Sequence, residues 1–395
     1  MEGLMADPAV FSIGREEELH WLALTLIPGL GTRMAAKLLD RFRTPQAVFR
    51  ASRTELEAAG VGGAVAQSIS SGCSFEDALD QQRKMAERGA VAIVRGDPRY
   101  PPLLREIFDP PILLFARGRL ELLQPFHFAV VGTRRPTPYG LAAAERLSAD
   151  LARAGLTIVS GMARGIDTAA HKGAFSAGGD TVAVLGCGVD IVYPSENRKL
   201  AADLAAKGLM LSEFAMGSTA FPQNFPIRNR IISGLSAGVL VVEGAQYSGS
   251  AITAKLALDQ GRECFAVPGN ITSKASWGPN LLIKQGAKLV QDWNDVIVEL
   301  PAEVRRQLIE RGRTRLLGNA GASQDGGRTS HLEGSLPEVG RRLLAVLQVD
   351  TAIHLDDLLQ IVEDSSASEL IAALFELEML GLIKQLPGKN FVKVW

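Results

Sequence analysis

The sequence predicts an α/β protein: a doubly wound, Rossmann-like parallel sheet with a helical domain before it and a winged helix after it. Three observations predict this. Between residues 83 and 311, apolar β-branched runs alternate with amphipathic runs: "FAVVG", "LTIVSG", "TVAVLG", "LMLSEF", "GVLVVEG", "CFAVPG" and "AKLV", separated by stretches such as "LAAAERLSADLARAG". Strands apolar on both faces with helices between them form a parallel sheet covered on both sides. Residues 1–82 instead show helical spacing around glycine turns. Residues 336–395 read as three helices, then strand, turn and strand.

The N-terminal helical reading rests on an internal echo. "EEELHWLALTLIPGLGTRMAAKLLDRF" and "AAGVGGAVAQSI" align Gly29 and Gly31 with Gly60 and Gly62, and Ala35 with Ala66. Such a pair suggests helix-hairpin-helix (SAM-like) units. A tight glycine hairpin bares backbone N–H groups that can hold a phosphate, although glycines also make plain inter-helix turns. "GAVAIVRGD" and "PPILLFARG" add one or two strands ahead of the main sheet. Residues 312–335 are rich in Gly, Ser and polar residues and read as a flexible linker.

Composition excludes several classes. Lys+Arg is 42 against Asp+Glu 43, so a nucleic-acid binder of this balance needs a local basic site. Cys73, Cys187 and Cys264 are odd in number and lack a C-x-x-C, so neither a disulfide framework nor zinc is indicated. Cys187 and Cys264 read as small core residues. His20, His127, His171, His331 and His354 show no metal spacing, and no cofactor is implied. The start of the chain does not read as a signal peptide, and no apolar run reaches the ~18 residues of a membrane span. A cytoplasmic protein is expected.

In a doubly wound sheet, ligands bind beyond the carboxyl ends of the strands. The loops there read "GTRRPTPYG", "SGMARGIDTAAH", "GCGVDIVYPSEN", "SEFAMGSTAFPQNFPIRNR", "EGAQYSGSAITA" and "PGNITSKASWGPN". They combine Gly, Ser and Thr with Arg134, Arg164, Arg228 and Arg230. Glycines let a backbone approach an anion, and guanidinium groups grip its oxygens. Ser250 and Asp167 are candidate helix caps. "FPIRNR" sits just ahead of a helix-like run, where a cation loses roughly 0.3–1 kcal/mol to the helix dipole. A bound phosphate reverses that penalty. If 228–230 are helical, Arg228 and Arg230 point about 200° apart. One then reaches the ligand, Arg228 being favoured, while the other pairs with Asp190 or Glu213. If the chain is extended, both share a face.

Enzyme motifs are absent from the sequence. No G-x-G-x-x-G follows the first core strand and no G-x-x-x-x-G-K-[ST] occurs. Asp190, Glu213 and Glu243 lack a nucleophile or metal partner and read as arginine partners. His171 reads as a satisfied helix residue, and no catalytic residue is assigned. The alternative is a nucleotide-processing hydrolase of a related doubly wound fold, which needs a P-G-G-x-G-T turn followed by a glutamate. A sequence-specific regulator using the tail is disfavoured, because its would-be recognition helix carries Glu369, Glu376 and Glu378 without Lys or Arg. That module is expected to contact protein, or to touch DNA only through Lys384, Lys389 and Lys393.

Four ordered stretches, "SGMARGIDTAAHKGA", "TVAVLGCGVDIVYPSEN", "NFPIRNRIISGLSAGVLVVEGAQYSGSAITA" and "FAVPGN…GPNLLIKQGA", resemble the bacterial DNA-processing protein A family (DprA, or Smf) over roughly residues 90–290. The resemblance implies a non-enzymatic, single-stranded DNA-binding protein. It would shield DNA taken up in natural transformation, help load the RecA recombinase, and form a homodimer through the Rossmann-like domain. The family's motifs fall on Gly132, Thr133 and Arg134; on Ser160, Gly161 and Arg164; on Phe225, Arg228, Asn229 and Arg230; and on Ser248, Gly249 and Ser250. DNA contact is carried to these and to Lys255. Phe225, Tyr193 and Tyr247 are the loop aromatics available for stacking. Where some relatives carry a basic residue after Tyr-Pro, this chain has Ser195; Met162 and Ala251 stand where Leu is usual.

Overall fold

In the computed structural model the described residues are 13–124, 126–246, 248–302, 304–308, 338–347, 352–361, 369–370, 373–374, 377, 383–386 and 390–393. Two compact units divide the chain near residue 312.

The first unit begins with six helices: α1 (Arg15–Thr25), α2 (Thr32–Phe42), α3 (Pro45–Arg50), α4 (Arg53–Ala58), α5 (Gly63–Ser71) and α6 (Phe75–Arg88). The glycine echo is real in three dimensions. Gly29 and Gly60 both take positive φ, +78° and +96°, where a side chain would be strained. Gly31 and Gly62 cap α2 and α5 in extended conformation, and Ala35 and Ala66 are buried below them.

A nine-stranded sheet follows. Its strands are β1 (Val91–Val94), β2 (Leu113–Gly118), β3 (His127–Val131), β4 (Thr157–Ser160), β5 (Thr181–Val184), β6 (Leu209–Ser212), β7 (Gly238–Val241), β8 (Glu263–Ala266) and β9 (Lys288–Leu289). The spatial order is β1-β2-β6-β5-β4-β3-β7-β8-β9. From β6 to β9 every pairing is parallel. The two extra strands anticipated from sequence pair antiparallel, β1 with β2 and β2 with β6.

The connecting helices are α7 (Pro102–Arg105), α8 (Pro138–Arg153), α9 (Ile166–Ser176), α10 (Arg198–Lys207), α11 (Asn224–Leu235), α12 (Gly249–Asp259), α13 (Trp277–Lys284) and α14 (Asn294–Ile297). Alternate residues of one strand serve opposite faces. On β3, Phe128 and Val130 join the core under α8 and α9, while Ala129 and Val131 join the core under α11 and α12. That period of two is why the strands read as unbroken apolar runs. The N-terminal helices share a third core with α10 and with Leu113, Phe115 and Met210 of the sheet. Gln81 locks this contact, donating to the Met216 carbonyl (3.3 Å) and accepting from the Met216 N–H (2.7 Å).

The sheet's switch point lies between β3 and β7, where the chain returns after winding outward through β4, β5 and β6. Two motif loops, 132–137 and 242–248, therefore flank it.

The second unit contains α15 (Glu338–Val346), β10 (Ile353–His354), α16 (Leu355–Ile361), β11 (Ile383–Leu386) and β12 (Asn390–Lys393). Its antiparallel sheet runs β10-β12-β11, the two strands expected at the end of the tail plus one short strand before α16. Leu370, Ala373, Leu374 and Leu377 fill its core with Leu343, Leu358 and Phe391. Glu376, Glu378, Lys389, the side chain of Lys384, and the linker assigned to 312–335 lie outside the described residues.

Candidate anion site at the strand ends

The loop after β3 is stitched down by backbone. Thr133 N–H donates to the Glu243 carbonyl (2.7 Å), and the Thr133 carbonyl accepts from Ile166 N–H (3.2 Å). The Thr133 hydroxyl accepts from Arg135 N–H (3.2 Å). Arg134 is left projecting from a rigid turn, exposed, with its guanidinium 4.8 Å from the Phe225 ring centre. The Phe225 ring is half-buried and stacks obliquely on Tyr193, centre to centre 5.5 Å. Arg228 approaches the same ring at 6.0 Å.

The helix dipole question raised by "FPIRNR" has a structural answer. Helix α11 starts at Asn224, so Arg228 is already past its first turn, where the dipole fades. Pro226 is tolerated because the first-turn N–H groups have no helical partner. The helical alternative therefore holds, and the two arginines diverge. Arg230 turns to Glu213 and Asp109; its Nε lies 3.2 Å from Asp109, and its Nη2 donates to Glu213. The partner expectation is met by Glu213. Asp190 instead accepts from Gly217 N–H at 2.9 Å, a turn contact that corrects its reading as an arginine partner.

Arg228 is 3% exposed, and its Nε and Nη1 are buried without a hydrogen-bond partner. It lies directly beneath Gly161: a Cβ built there would sit 1.5 Å from Nη1. Only a glycine allows this approach. Beside it Asp167 is buried, its carboxylate accepting from Gly161 N–H (3.1 Å) and Ala163 N–H (3.4 Å). Burial pushes the Asp167 carboxyl up, opposed by the Arg228 charge. Burial also pushes the Arg228 guanidinium down; Asp167 opposes this and Arg134 adds to it. Arg228 thus shares the interior with one carboxylate already engaged by backbone, and the exposed Arg134 adds a second positive charge beside the Phe225 ring. A phosphate between the two arginines would relieve their repulsion.

Asp167 is not the cap of α9, as its position in the sequence suggested; Gly165 occupies the cap at φ +79° and Asp167 sits in the first turn, facing inward. Similarly, α12 is capped by Ser248, whose Oγ accepts from Ala251 N–H, and not by Ser250. The two hydroxyls are 2.8 Å apart, and Asn229 reaches the Gly249 carbonyl at 3.4 Å. That contact ties the arginine helix to the start of α12.

Several sequence candidates are buried or already engaged. Ser160 is fully buried and donates to the Val130 carbonyl at 2.7 Å. Arg164 is exposed but ion-paired to Glu196 at 2.7 Å. Lys255 is exposed on the second turn of α12, and Tyr247 lies outside the described residues. Glu243, expected to pair with an arginine, instead accepts from Thr137 N–H (2.9 Å) and the Thr137 hydroxyl (2.6 Å). It stabilises the first turn of α8, where an acid is favoured. His171 is buried and meets the Thr181 hydroxyl at 2.7 Å; burial drives its pKa down to about 3, so it is neutral at physiological pH. Cys187 and Cys264 are buried core thiols.

One residue escaped the sequence reading. Lys172 lines a cleft of about 330 Å³ together with Arg134, Thr168 and Glu145. Its signal was the four-residue step from Thr168, which puts both on one face of α9.

The fold is that of a doubly wound α/β protein whose strand-end rim gathers arginine, aromatic and glycine residues. Comparison with known proteins narrows the class. The family model "DNA recombination-mediator protein A" matches residues 91–301, a SAM-like helix-hairpin-helix tandem matches 22–74, and a DprA winged helix domain matches 330–389. The chain is 33% identical to "Protein Smf" of Synechocystis sp. over 96% of its length and 99% of the relative's. It is 44% identical to "DNA processing protein DprA" of Bacillus subtilis over 54% of this chain and 73% of that one. The X-ray structure of DNA processing protein A from Streptococcus pneumoniae superposes with a TM-score of 0.63 at 34% identity, covering 74% of this chain and 99% of that one. The chain belongs to the DprA/Smf family.

Among the described residues no helix is long and apolar enough to cross a membrane.

Proposed function

We propose that this chain binds single-stranded DNA through the rim built on Arg134, Arg228, Phe225 and Tyr193. On this reading it shields the strand and helps load the RecA recombinase during natural transformation, without catalysing a reaction itself. The observation that carries the reading is the gathering of Arg228 and Arg134 around the Phe225 ring with one acid, Asp167, already engaged by backbone: two cations against one acid leave positive charge that a phosphodiester would balance. Stacking favours a single strand, because an aromatic platform needs a base that has left its own stack. Tyr193, 42% exposed, is the ring of the pair open to such a base. The family's description as a recombination mediator supports the hand-over to a recombinase. A homodimer through the sheet domain belongs to the same reading. The function implies a cytoplasmic site of action.

The hydrolase alternative needs a free carboxylate beside the phosphate. Glu243 is held by Thr137, and Glu213 neutralises Arg230. Release of free base from labelled nucleotides would restore that alternative. For the binding reading, fluorescence anisotropy with single-stranded oligonucleotides is the test. Tyr193→Ala is expected to weaken binding by about 1–3 kcal/mol, the range for one lost stacking contact. An unchanged affinity would remove Tyr193 from the interface.

A further inference from the structure

A second surface shows the same pairing of arginine and aromatic ring. Phe108 is 78% exposed, among the largest exposures of any bulky apolar side chain in the described residues, and the Arg33 guanidinium lies 4.3 Å from its ring centre. Arg33 opens a row along α2. Lys37 and Arg41 follow at steps of four residues, so the three cations share one face at intervals of about 6 Å. All three are exposed, and none is ion-paired among the described residues. The Lys37 ammonium also lies over the second glycine hairpin, 3.2 Å from where a Cβ on Gly60 would stand.

The acids nearby are engaged. Asp40 pairs with Arg95, Asp109 with Arg230, and Glu106 lies 3.9 Å from Arg262. Glu55 is engaged at the start of α4, where its carboxylate accepts from Ser52 N–H and the Ser52 hydroxyl accepts from Glu55 N–H.

We infer that the α2 row and Phe108 form a second contact for single-stranded DNA, separate from the sheet rim, with the cations on phosphates and Phe108 under an unstacked base. A row of evenly spaced cations suits a polyanion better than a single anion, and an exposed ring at its end favours a single strand over a duplex. The inference takes its probe from the nucleic-acid reading above but stands on different residues.

The experiment compares the full chain with an Arg33→Ala, Lys37→Ala, Arg41→Ala triple variant and with Phe108→Ala. Affinity is measured on dT oligonucleotides of increasing length, and on a duplex, across a salt series. All four side chains are exposed, and circular dichroism verifies the fold. The triple variant should bind the shortest dT probes as the parent does. On long probes its salt slope should flatten by about two, at ~0.7 per lost phosphate contact. Phe108→Ala should weaken long-probe binding with little change in slope. Equal slopes at every length overturn the inference, as does a loss confined to the duplex. Arg134→Ala serves as the separating arm. If it leaves binding intact while the triple variant does not, the rim reading fails and this one stands.

Discussion

Arg230→Ala is expected to destabilise the protein by about 3–5 kcal/mol, although Arg230 shares the FPIRNR motif with Arg228. Its side chain is 8% exposed and that of Glu213 is 12% exposed, so the substitution strands a carboxylate in the interior. Burial already pushes the Glu213 carboxyl up, with the Arg230 charge holding it down. Without Arg230 the folded-state pKa rises further above the unfolded value. A group raised in this way contributes its stability below the unfolded pKa and loses it as pH rises through the folded pKa. The variant's deficit should therefore be larger at neutral pH than in mild acid. Urea denaturation at two pH values checks this. Adding Glu213→Gln should return part of the loss, since the pair is then replaced rather than broken. A deficit independent of pH would mean that Glu213 is not the group left stranded.

Gly161→Ala is expected to abolish the approach of Arg228 to the loop after β4. The new methyl would overlap Nη1 at 1.5 Å and Cζ at 2.4 Å. The guanidinium is the end of a flexible side chain, so it moves and the backbone holds. The fold should survive at a cost of about 1–3 kcal/mol, the usual range for overpacking. DNA affinity should fall as far as in Arg228→Met, because both changes remove the same charge from the same place. Oligonucleotide titration of the two variants side by side checks this. A Gly161→Ala protein with parental affinity would show that Arg228 need not sit beneath that loop.

These two outcomes separate what a pair of neighbouring motif arginines do. The sequence alone could state the choice: in a helix they diverge, in an extended segment they agree. It could not settle it, because the start of α11 depends on Pro226 being absorbed into the first turn. The apolar runs of the sheet were legible because period-two burial on both faces leaves a local mark. The paired hairpins were legible because Gly29 and Gly60 need a conformation few residues accept. Glu243 was misread for the opposite reason. Its partner is Thr137, 106 residues earlier, and nothing local records that pairing. Asp167 looked like a cap because acids start helices. Here Gly165, at φ +79°, takes the cap and Asp167 falls in the first turn, buried. Lys172 was passed over because a lysine on a helix face is usually solvated, and only the tertiary approach of the 132–137 loop gives it a cleft.

The central claim is that Arg134 and Arg228 together supply the positive charge that holds a phosphodiester at the strand ends. It is tested most directly by the salt dependence of single-stranded DNA binding in Arg134→Ala, Arg228→Met and the double variant, with the fold checked by circular dichroism. The account predicts intact folds, affinity reduced about tenfold or more, and a slope of log affinity against log salt flatter by about 0.7 for each lost phosphate contact. Parental slope and affinity in the folded double variant would contradict it.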